Sequence, residues 1–166
     1  MSAEPSPVIT IVTLVRQSAH LMVDELVQRL HAAGYTDITA SHQAVFENID
    51  PDGTRLTTLA ARSGITHQSM GELVHALARA GYVERRADPT DGRARRIHLT
   101  SKGRALVRRA LVEIGEIETV WREQLRAAGY DVDLRALLEP AVRTLSDQRP
   151  ARVSSDRYRE ELRPVT

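Results

Sequence analysis

The segment Leu59–Met70 constrains the fold of this chain more than any other stretch. A short run with helical apolar spacing ends at Gly64, and Thr66 then stands where the N-cap of a second helix is expected. Ala60 is small enough for two helices to cross closely, and Ile65 can fill the corner between them. Two short helices joined by a glycine turn in this way form a helix-turn-helix unit.

The periodicity changes directly after the second helix, which Gly81 ends. The stretches 82–86 and 95–100 alternate as strands do, and the turn-rich segment Asp88–Gly92 joins them. A brief strand is also expected at 55–57. The sequence therefore predicts a two-stranded hairpin, here called the wing, beside the helix-turn-helix. The expected fold class is mainly α, an α+β winged helix.

Apolar residues at helical spacing predict further helices on both sides of this unit. The predicted helices span residues 8–33, about 40–49, 58–63, 66–80, 101–128 and a last one that starts at Asp131 or Asp133 and reaches 147. A length of 166 residues suits one domain over 1–166. Its expected parts are a winged core at 54–100, dimerisation helices at 8–33 and 131–147, and a peripheral tail at 148–166.

The apolar stripes of the two flanking helices favour a homodimer. Both helices lie outside the winged core, and the stripe over residues 8–30 is wider than one intramolecular contact requires. Monomers rarely leave such stripes exposed. The sequence leaves one alternative open, in which these helices only cover the core of a single chain.

Charge is distributed unevenly, although the whole chain carries a net charge of only +1. Residues 79–109 hold ten basic and three acidic groups, whereas residues 1–78 and 110–166 carry net charges of −4 and −2. A basic patch on and around a hairpin attracts polyanions. Because it follows a helix-turn-helix, we expect the partner to be double-stranded DNA.

Two groups of residues are candidates for contacting that DNA. The first turn of the second helix carries four hydrogen-bonding residues, Thr66, His67, Gln68 and Ser69. Glutamine can pair with adenine, serine and threonine can bind bases or phosphates, and a helix N-terminus favours a phosphate. The wing carries Arg85, Arg86, Arg95 and Arg96. They alternate along the strands, so only some can face DNA, and phosphate contacts of this kind position a protein without reading sequence.

The run Gly81–Arg93 (GYVERRADPTDGR), continued by Ile97–Gly103 (IHLTSKG), resembles the wing signature of MarR-type transcriptional regulators. Leu59–Gly81 is similar to the recognition unit of that family, and the resemblance covers about residues 8–147. It implies a homodimer that binds a palindromic operator and usually represses transcription. Recognition helices would enter two major grooves, and the wings would reach the flanking minor grooves.

The resemblance also gives roles to two residues at the tip of the wing. Arg93 matches the wing-tip arginine of the family, and Asp91 matches the acid that orients it. Gly92 stands where many members have a further arginine, which puts one phosphate contact in doubt. On physical grounds too, a narrow minor groove attracts an inserted guanidinium. The alternative is a surface ion pair within a turn, which contributes little to stability.

The resemblance further implies that many members release DNA when a small, often phenolic or otherwise aromatic, ligand binds between the dimer helices and the winged core. The candidate ligand-binding residues are Arg16, His20, His42 and Trp121. Arginine can hold a carboxylate, and tryptophan can stack on a ring. Each also has a structural interpretation, because Trp121 falls on a core stripe, Arg16 can be solvated and a lone histidine often makes a local hydrogen bond.

Several classes of function are not expected. Cysteine is absent, which excludes disulfides and thiol-based redox sensing, and the six histidines lack familiar metal-ligand spacing. The sequence contains no phosphate-binding or nucleophile motif, so neither an enzyme activity nor a cofactor is expected. The absence of a signal peptide or an apolar run of membrane-spanning length favours a cytoplasmic protein.

One alternative function remains, a dimeric winged-helix module that binds proteins and has no specific affinity for DNA. The arginine wing and the polar helix turn disfavour it, because a protein interface usually carries aromatic or aliphatic anchors.

Overall fold

The computed structural model describes residues 10–147. The helices of this part are α1 (Ile11–Ala32), α2 (Gln43–Phe46), α3 (Leu56–Ser63), α4 (His67–Arg79), α5 (Ser101–Ala127) and α6 (Leu134–Asp147). The strands are β1 (Thr54–Arg55), β2 (Val83–Asp88) and β3 (Asp91–Leu99), which form an antiparallel sheet in the order β1-β3-β2. The expected mainly α, winged-helix architecture is confirmed.

The core of the molecule lies where α3 and α4 meet the sheet and α2. Its fully buried side chains include Val45, Leu59, Met70, Val74, Leu77, Tyr82 and Ile97. Three of them, Met70, Val74 and Leu77, follow one another at helical spacing along α4. Because α4 buries this one face, its opposite face and its first turn are left to solvent.

The start of α5 is fixed against the end of the helix-turn-helix. The Thr100 hydroxyl caps α5 by accepting a hydrogen bond from Gly103 N at 3.1 Å, and it donates to the Gly81 carbonyl at 2.6 Å. Gly103 lies so close to Tyr82 that an added Cβ would overlap the Tyr82 carbonyl oxygen. The orientation of α5 is therefore tied to that of α4.

Helix α1 packs against α5 on the far side of the winged core. Arg29 of α1 pairs with Glu116 at 2.9 Å and with the buried Glu113 at 3.4 Å. Beyond this contact, apolar side chains of α1 and α6 are exposed, namely Ile11, Val12, Leu14, Val15, Leu137, Leu138, Val142 and Leu145. Each of them keeps between 46% and 74% of its surface exposed.

The prediction of one helix over residues 40–49 is wrong, because this segment forms two shorter pieces. A single 3₁₀ turn at Ala40–His42 leads into α2, which ends at Phe46. Asn48 explains the early end, since its side-chain amide donates to the Ala44 carbonyl at 2.9 Å and so takes the acceptor that a continuing helix would use.

The predicted strand at 55–57 is shifted. β1 contains only Thr54 and Arg55, and Leu56 already belongs to α3, which therefore starts before the predicted Thr58. Leu56 packs against the core from the first turn of α3. The strand is short because the chain must turn at once into this helix.

The wing is longer than predicted and its turn is tighter. β2 runs to Asp88 and β3 begins at Asp91, so only Pro89 and Thr90 connect the strands instead of the predicted segment 88–92. The carboxylate of Asp88 accepts hydrogen bonds from both the backbone and the hydroxyl of Thr90. This side-chain turn reverses the chain within two residues.

The flanking helices begin close to their predicted starts. Thr10 caps α1, while the predicted start at residue 8 and the tail 148–166 lie outside the described residues. At α6 the structure selects Asp133 over Asp131, because the Asp133 carboxylate accepts from the backbone of Arg135 and Ala136. Among residues 10–147, no helix is long and apolar enough to cross a membrane.

Candidate nucleic-acid interface

The first turn of α4 is ordered by its own cap. Gly64 ends α3 in the left-handed region at φ 70°, which a residue without a Cβ adopts most easily, and Ile65 packs against the core. The Thr66 hydroxyl accepts a hydrogen bond from Ser69 N at 3.1 Å. The four predicted contact residues, Thr66, His67, Gln68 and Ser69, are all exposed.

The exposed face of α4 continues beyond that first turn. Glu72, His75 and Arg79 extend it at helical spacing, and Gln68 donates a hydrogen bond to Glu72 at 3.2 Å. Sequence reasoning stopped at Ser69 and missed these three residues. Counting from Gln68 in steps of three or four residues would have found them, because residues at this spacing share one face of a helix.

The wing arginines divide between the two faces of the hairpin. Residues directly opposite each other on neighbouring strands share a face. Arg85 is opposite the buried Ile97, and Arg95 is opposite Ala87, so these two arginines lie on the face that continues into the core. Arg86 is opposite Arg96, which places both on the other face.

Acidic partners follow the same division. On the second face, Arg86 pairs with Glu84 at 2.6 Å, and Arg96 lies 3.1 Å from Asp88 and 3.6 Å from Asp52. On the first face, the exposed side chains of Arg85 and Arg95 make no ion pair or hydrogen bond with a described residue. Three of the five wing arginines are thus left with unneutralised charge, the third being Arg93 at the tip.

Arg93 lies in an irregularity of the ladder at the wing tip. The register jumps from Ala87 opposite Arg95 to Asp88 opposite Asp91, which leaves residues 92–94 of β3 without partners on β2. Bulges of this kind re-aim the side chains they carry. Arg93 is exposed there, and its guanidinium makes no ion pair or hydrogen bond with any residue in the described range.

Asp91 holds the main chain of Arg93, and its carboxylate is not bonded to the guanidinium. Its Oδ1 accepts from Arg93 N at 3.1 Å, and its Oδ2 lies 3.8 Å from Arg55. The expectation that Asp91 orients the Arg93 side chain is therefore corrected to an effect on the backbone. The physical reason is proximity, because a carboxylate two residues earlier meets the backbone N–H first.

Comparison with known proteins bears on this winged unit. A family model described as MarR family matches residues 36–94. The HTH-type transcriptional regulator PetP of Rhodobacter capsulatus is 38% identical over 112 residues, which are 63% of this chain and 64% of PetP. The match therefore spans a little less than two thirds of that relative. The winged unit of this chain, residues 36–94, therefore matches the MarR family.

Solved structures extend the likeness from this winged unit to the whole described fold. CouR from Rhodococcus jostii RHA1, solved with p-coumaroyl-CoA, superposes with a TM-score of 0.67 at 19% identity over 91% of this chain and all of CouR. MepR of S. aureus in its DNA complex gives a TM-score of 0.63 at 22% identity over 87% of this chain and all of MepR. These likenesses confirm the fold. The names of PetP and MepR are those of transcription regulators, in agreement with the expectation that this chain is not an enzyme.

No hydrogen bond or ion pair joins any two of the four residues considered for a MarR-type ligand in the described part of the chain. Arg16 and His20 are exposed on α1, where His20 lies 3.5 Å from Asp24, and Trp121 is half-buried on α5. His42 is buried, and its Nδ1 accepts a hydrogen bond from Thr39 N at 3.1 Å. Burial lowers the pKa of His42, so this histidine is a neutral part of the local fold.

A cavity of about 400 Å³ opens elsewhere, between the winged core and the first half of α5. Its lining consists of Ile49, Asp50, Pro51, Arg86, His98, Leu99, Arg104, Val107, Arg108 and Leu111. Apolar side chains from α5 and the sheet are therefore surrounded by three arginines. Burial and the neighbouring Arg86 charge lower the pKa of His98, which keeps this histidine neutral.

No metal site accompanies these features. Within residues 10–147, no three His, Asp or Glu side chains come together as a metal ion would require.

Proposed function

We propose that this chain is a MarR-type transcriptional regulator that binds double-stranded DNA. The observation that carries the proposal is the pairing state of the wing, where Arg85, Arg93 and Arg95 have no acidic partner among the described residues. Phosphates would supply the missing anions. The exposed cap turn at Thr66–Ser69 lies in the same winged unit and offers hydrogen-bonding groups for base edges in a major groove.

The proposal includes a homodimer and a palindromic operator. The exposed leucines and valines of α1 and α6 are the support, because such side chains gain stability when a second copy covers them. A twofold axis through these helices would bring in a second copy of α4, the proposed recognition helix, from the partner subunit. Two copies of α4 about 34–36 Å apart would read two half-sites one DNA turn apart. Blocking a promoter in this way would repress transcription.

Selection of bound fragments from a random-sequence duplex library tests this part of the proposal. The expected result is enrichment of one inverted repeat with half-site centres about 10 base pairs apart. Fluorescence anisotropy then measures the affinity for that duplex and for a shuffled duplex of equal length. Equal affinity for the two duplexes, or no enrichment, would contradict specific binding. Tight binding of proteins with no affinity for DNA would favour the interaction-module alternative.

The proposal also includes an effector, a small aromatic acid bound in the cavity beside α5. The cavity joins an apolar floor at Val107 and Leu111 to the cationic groups of Arg86, Arg104 and Arg108, which suits a ring that carries a carboxylate. CouR, which has this fold, was solved with p-coumaroyl-CoA, an aromatic and anionic ligand. The four residues first considered, Arg16, His20, His42 and Trp121, are outside this site.

Thermal-shift measurements with hydroxybenzoic and hydroxycinnamic acids test the effector site. A ligand at one hundred times its Kd should stabilise the folded protein by about 2.7 kcal/mol and raise the melting temperature by several degrees. Arg108→Ala should lose most of the shift, because it removes a cationic side chain of the cavity. An equal shift in Arg108→Ala would place the ligand elsewhere. No shift with any of these acids would contradict the effector part alone.

A further inference from the structure

Asp88 is a buried carboxylate that the proposed function does not use directly. It ends β2, immediately before the two-residue turn of the wing, and it is 2% exposed. The wing on either side of it is mostly exposed and strongly cationic. Asp88 differs from the rest of the hairpin because it is a fully buried anion. An acid this close to DNA-binding arginines would oppose their attraction to phosphate.

The two oxygens of Asp88 have different partners. Oδ1 accepts from Thr90 N at 2.9 Å and from the Thr90 hydroxyl at 2.7 Å, which fixes the turn. Oδ2 accepts from Arg55 Nε at 2.7 Å and lies 3.1 Å from Arg96 Nε. One side chain thereby joins the turn to β1 and to β3. These donors, Thr90 foremost, hold the pKa of Asp88 well below its usual range, so the group is ionised at neutral pH.

The contacts continue from Asp88 to the wing tip. Thr90 is followed by Asp91, whose carboxylate accepts from the backbone of Arg93 and also lies 3.8 Å from Arg55. Arg55 is therefore shared between the two acids. The bulge that carries Arg93 has no partners on β2, so these side-chain contacts are what defines the shape of the tip. The same contacts keep Arg55 and Arg96 occupied, leaving Arg85, Arg93 and Arg95 as the unpaired cations.

We propose that Asp88 is a positioning residue for operator recognition, which fixes the wing tip so that the backbone of Arg93 is held where its side chain can reach the groove. This inference rests on the proposed DNA-binding function. Asp88 touches no nucleic acid itself and acts through Thr90, Arg55 and Arg96. A wing tip whose backbone is fixed before binding loses less conformational freedom when Arg93 enters a groove, which favours specific over non-specific binding.

The sign of the effect separates positioning from simple charge. Removing one negative charge about 10 Å from a phosphate in water would tighten DNA binding by about twofold. In addition, Asp88→Asn leaves Arg55 and Arg96 with only their more distant acids, Asp91 at 3.8 Å and Asp52 at 3.6 Å, which would also tighten non-specific binding. If Asp88 positions Arg93, Asp88→Asn should instead bind the operator more weakly, although this variant carries more positive charge.

The experiment measures Asp88→Asn against two duplexes, the inverted repeat selected by the wild-type protein and a shuffled duplex of equal length. We expect operator affinity to fall about tenfold while affinity for the shuffled duplex stays level or rises up to threefold. Glu84→Gln, on the same strand, removes one half-buried acid outside the network and should not weaken operator binding. Unchanged or tighter operator binding by Asp88→Asn would overturn the proposal.

A double mutant shows whether the loss passes through the wing tip. If Asp88 acts through Arg93, then Asp88→Asn in an Arg93→Ala background should cost less than twofold in operator affinity. A full tenfold loss in that background would overturn the proposal.

Thr90→Val guards against a folding defect in Asp88→Asn, because Thr90 is exposed and its loss removes only one donor to Oδ1. It should lower operator affinity severalfold with little change in melting temperature, and an unchanged affinity would count against the proposal.

Failure of this inference is distinguishable from failure of the proposed function. If the wild-type chain selects no duplex, the DNA-binding function itself fails. If it selects an operator and Asp88→Asn binds that operator as tightly as wild type, only the role of Asp88 fails.

Discussion

At the level of single residues, the five arginines of the wing differ in whether an acid already holds them. Arg86 and Arg96 have carboxylate partners within 4 Å, whereas Arg85, Arg93 and Arg95 have none among the described residues. A paired arginine must give up its partner before it can bind a phosphate, which removes much of the gain. Unpaired arginines carry no such cost and are the better candidates for DNA contacts.

Arg93→Ala should weaken operator binding by about 1–3 kcal/mol, roughly five- to 150-fold, because it removes the guanidinium proposed to enter the minor groove. The melting temperature should barely change, since the exposed side chain makes no intramolecular bond that stabilises the fold. Arg86→Ala is the matched control on the opposite face of the hairpin and should cost less. Fluorescence anisotropy with both variants checks this, and equal losses would contradict the division of the wing faces.

At this scale the sequence shows which residue types are present and leaves their pairing open. The concentration of arginine in 79–109 and the polar turn at Thr66–Ser69 are visible in the sequence. The partner of each arginine depends on strand register, and the register jump next to Asp88 has no signature in alternation alone. The carboxylate of Asp88 was hidden for the same reason, because an acid in a turn-rich segment is usually solvated.

At the level of elements, the α4–α5 junction determines how the recognition helix is carried. Thr100 caps α5 and bonds the Gly81 carbonyl, and Lys102 donates to the Ala80 carbonyl at 2.8 Å. The carbonyl groups that end α4 are thus satisfied by the first turn of α5. A rigid junction of this kind is needed if two recognition helices are to keep a fixed separation.

Gly103→Ala should destabilise the protein by about 1–3 kcal/mol, because the new methyl group overlaps the Tyr82 carbonyl and forces α5 away from the core. Gly115→Ala is a matched control in the same helix. An added Cβ there has nothing within 4 Å, so this change should stabilise α5 by about 0.5–1 kcal/mol. Urea unfolding measures both, and a neutral Gly103→Ala would show that the junction is loose.

Long elements were predictable, and short ones were not. Glycine and cap residues marked the ends of α4 and α5 correctly, since Thr66, Thr100 and Gly129 take the roles that their types favour. α2 and β1 were misjudged because they contain four and two residues, too few for a period to be counted. In such pieces a single side chain decides, as Asn48 does at the end of α2.

At the level of the whole molecule, the described chain has an apolar surface that a second copy would cover. Exposed leucines and valines cluster on α6 and on the first half of α1, while the groups proposed to bind DNA lie on the winged core. Separation of this kind lets one surface hold a dimer together and leaves another free for DNA.

Leu138→Glu should turn the dimer into a monomer, because it would bury a charge in the proposed interface. Loss of the dimer should lower operator affinity by more than a hundredfold, since each half-site would then be bound independently. Ala136→Glu, on the opposite side of α6, should leave the dimer intact. Light scattering at micromolar concentration reports the mass, and a wild-type monomer would contradict the interface.

Salt dependence of operator binding tests the central claim most directly, namely that unpaired wing arginines replace counterions on duplex DNA. Three such arginines in each subunit of a dimer give about six phosphate contacts, so log K should fall with log salt concentration at a slope near −5. Alanine at Arg85, Arg93 and Arg95 together should bring the slope close to zero. The account predicts this loss of slope, and a wild-type affinity that does not change between about 50 and 200 mM salt would contradict it.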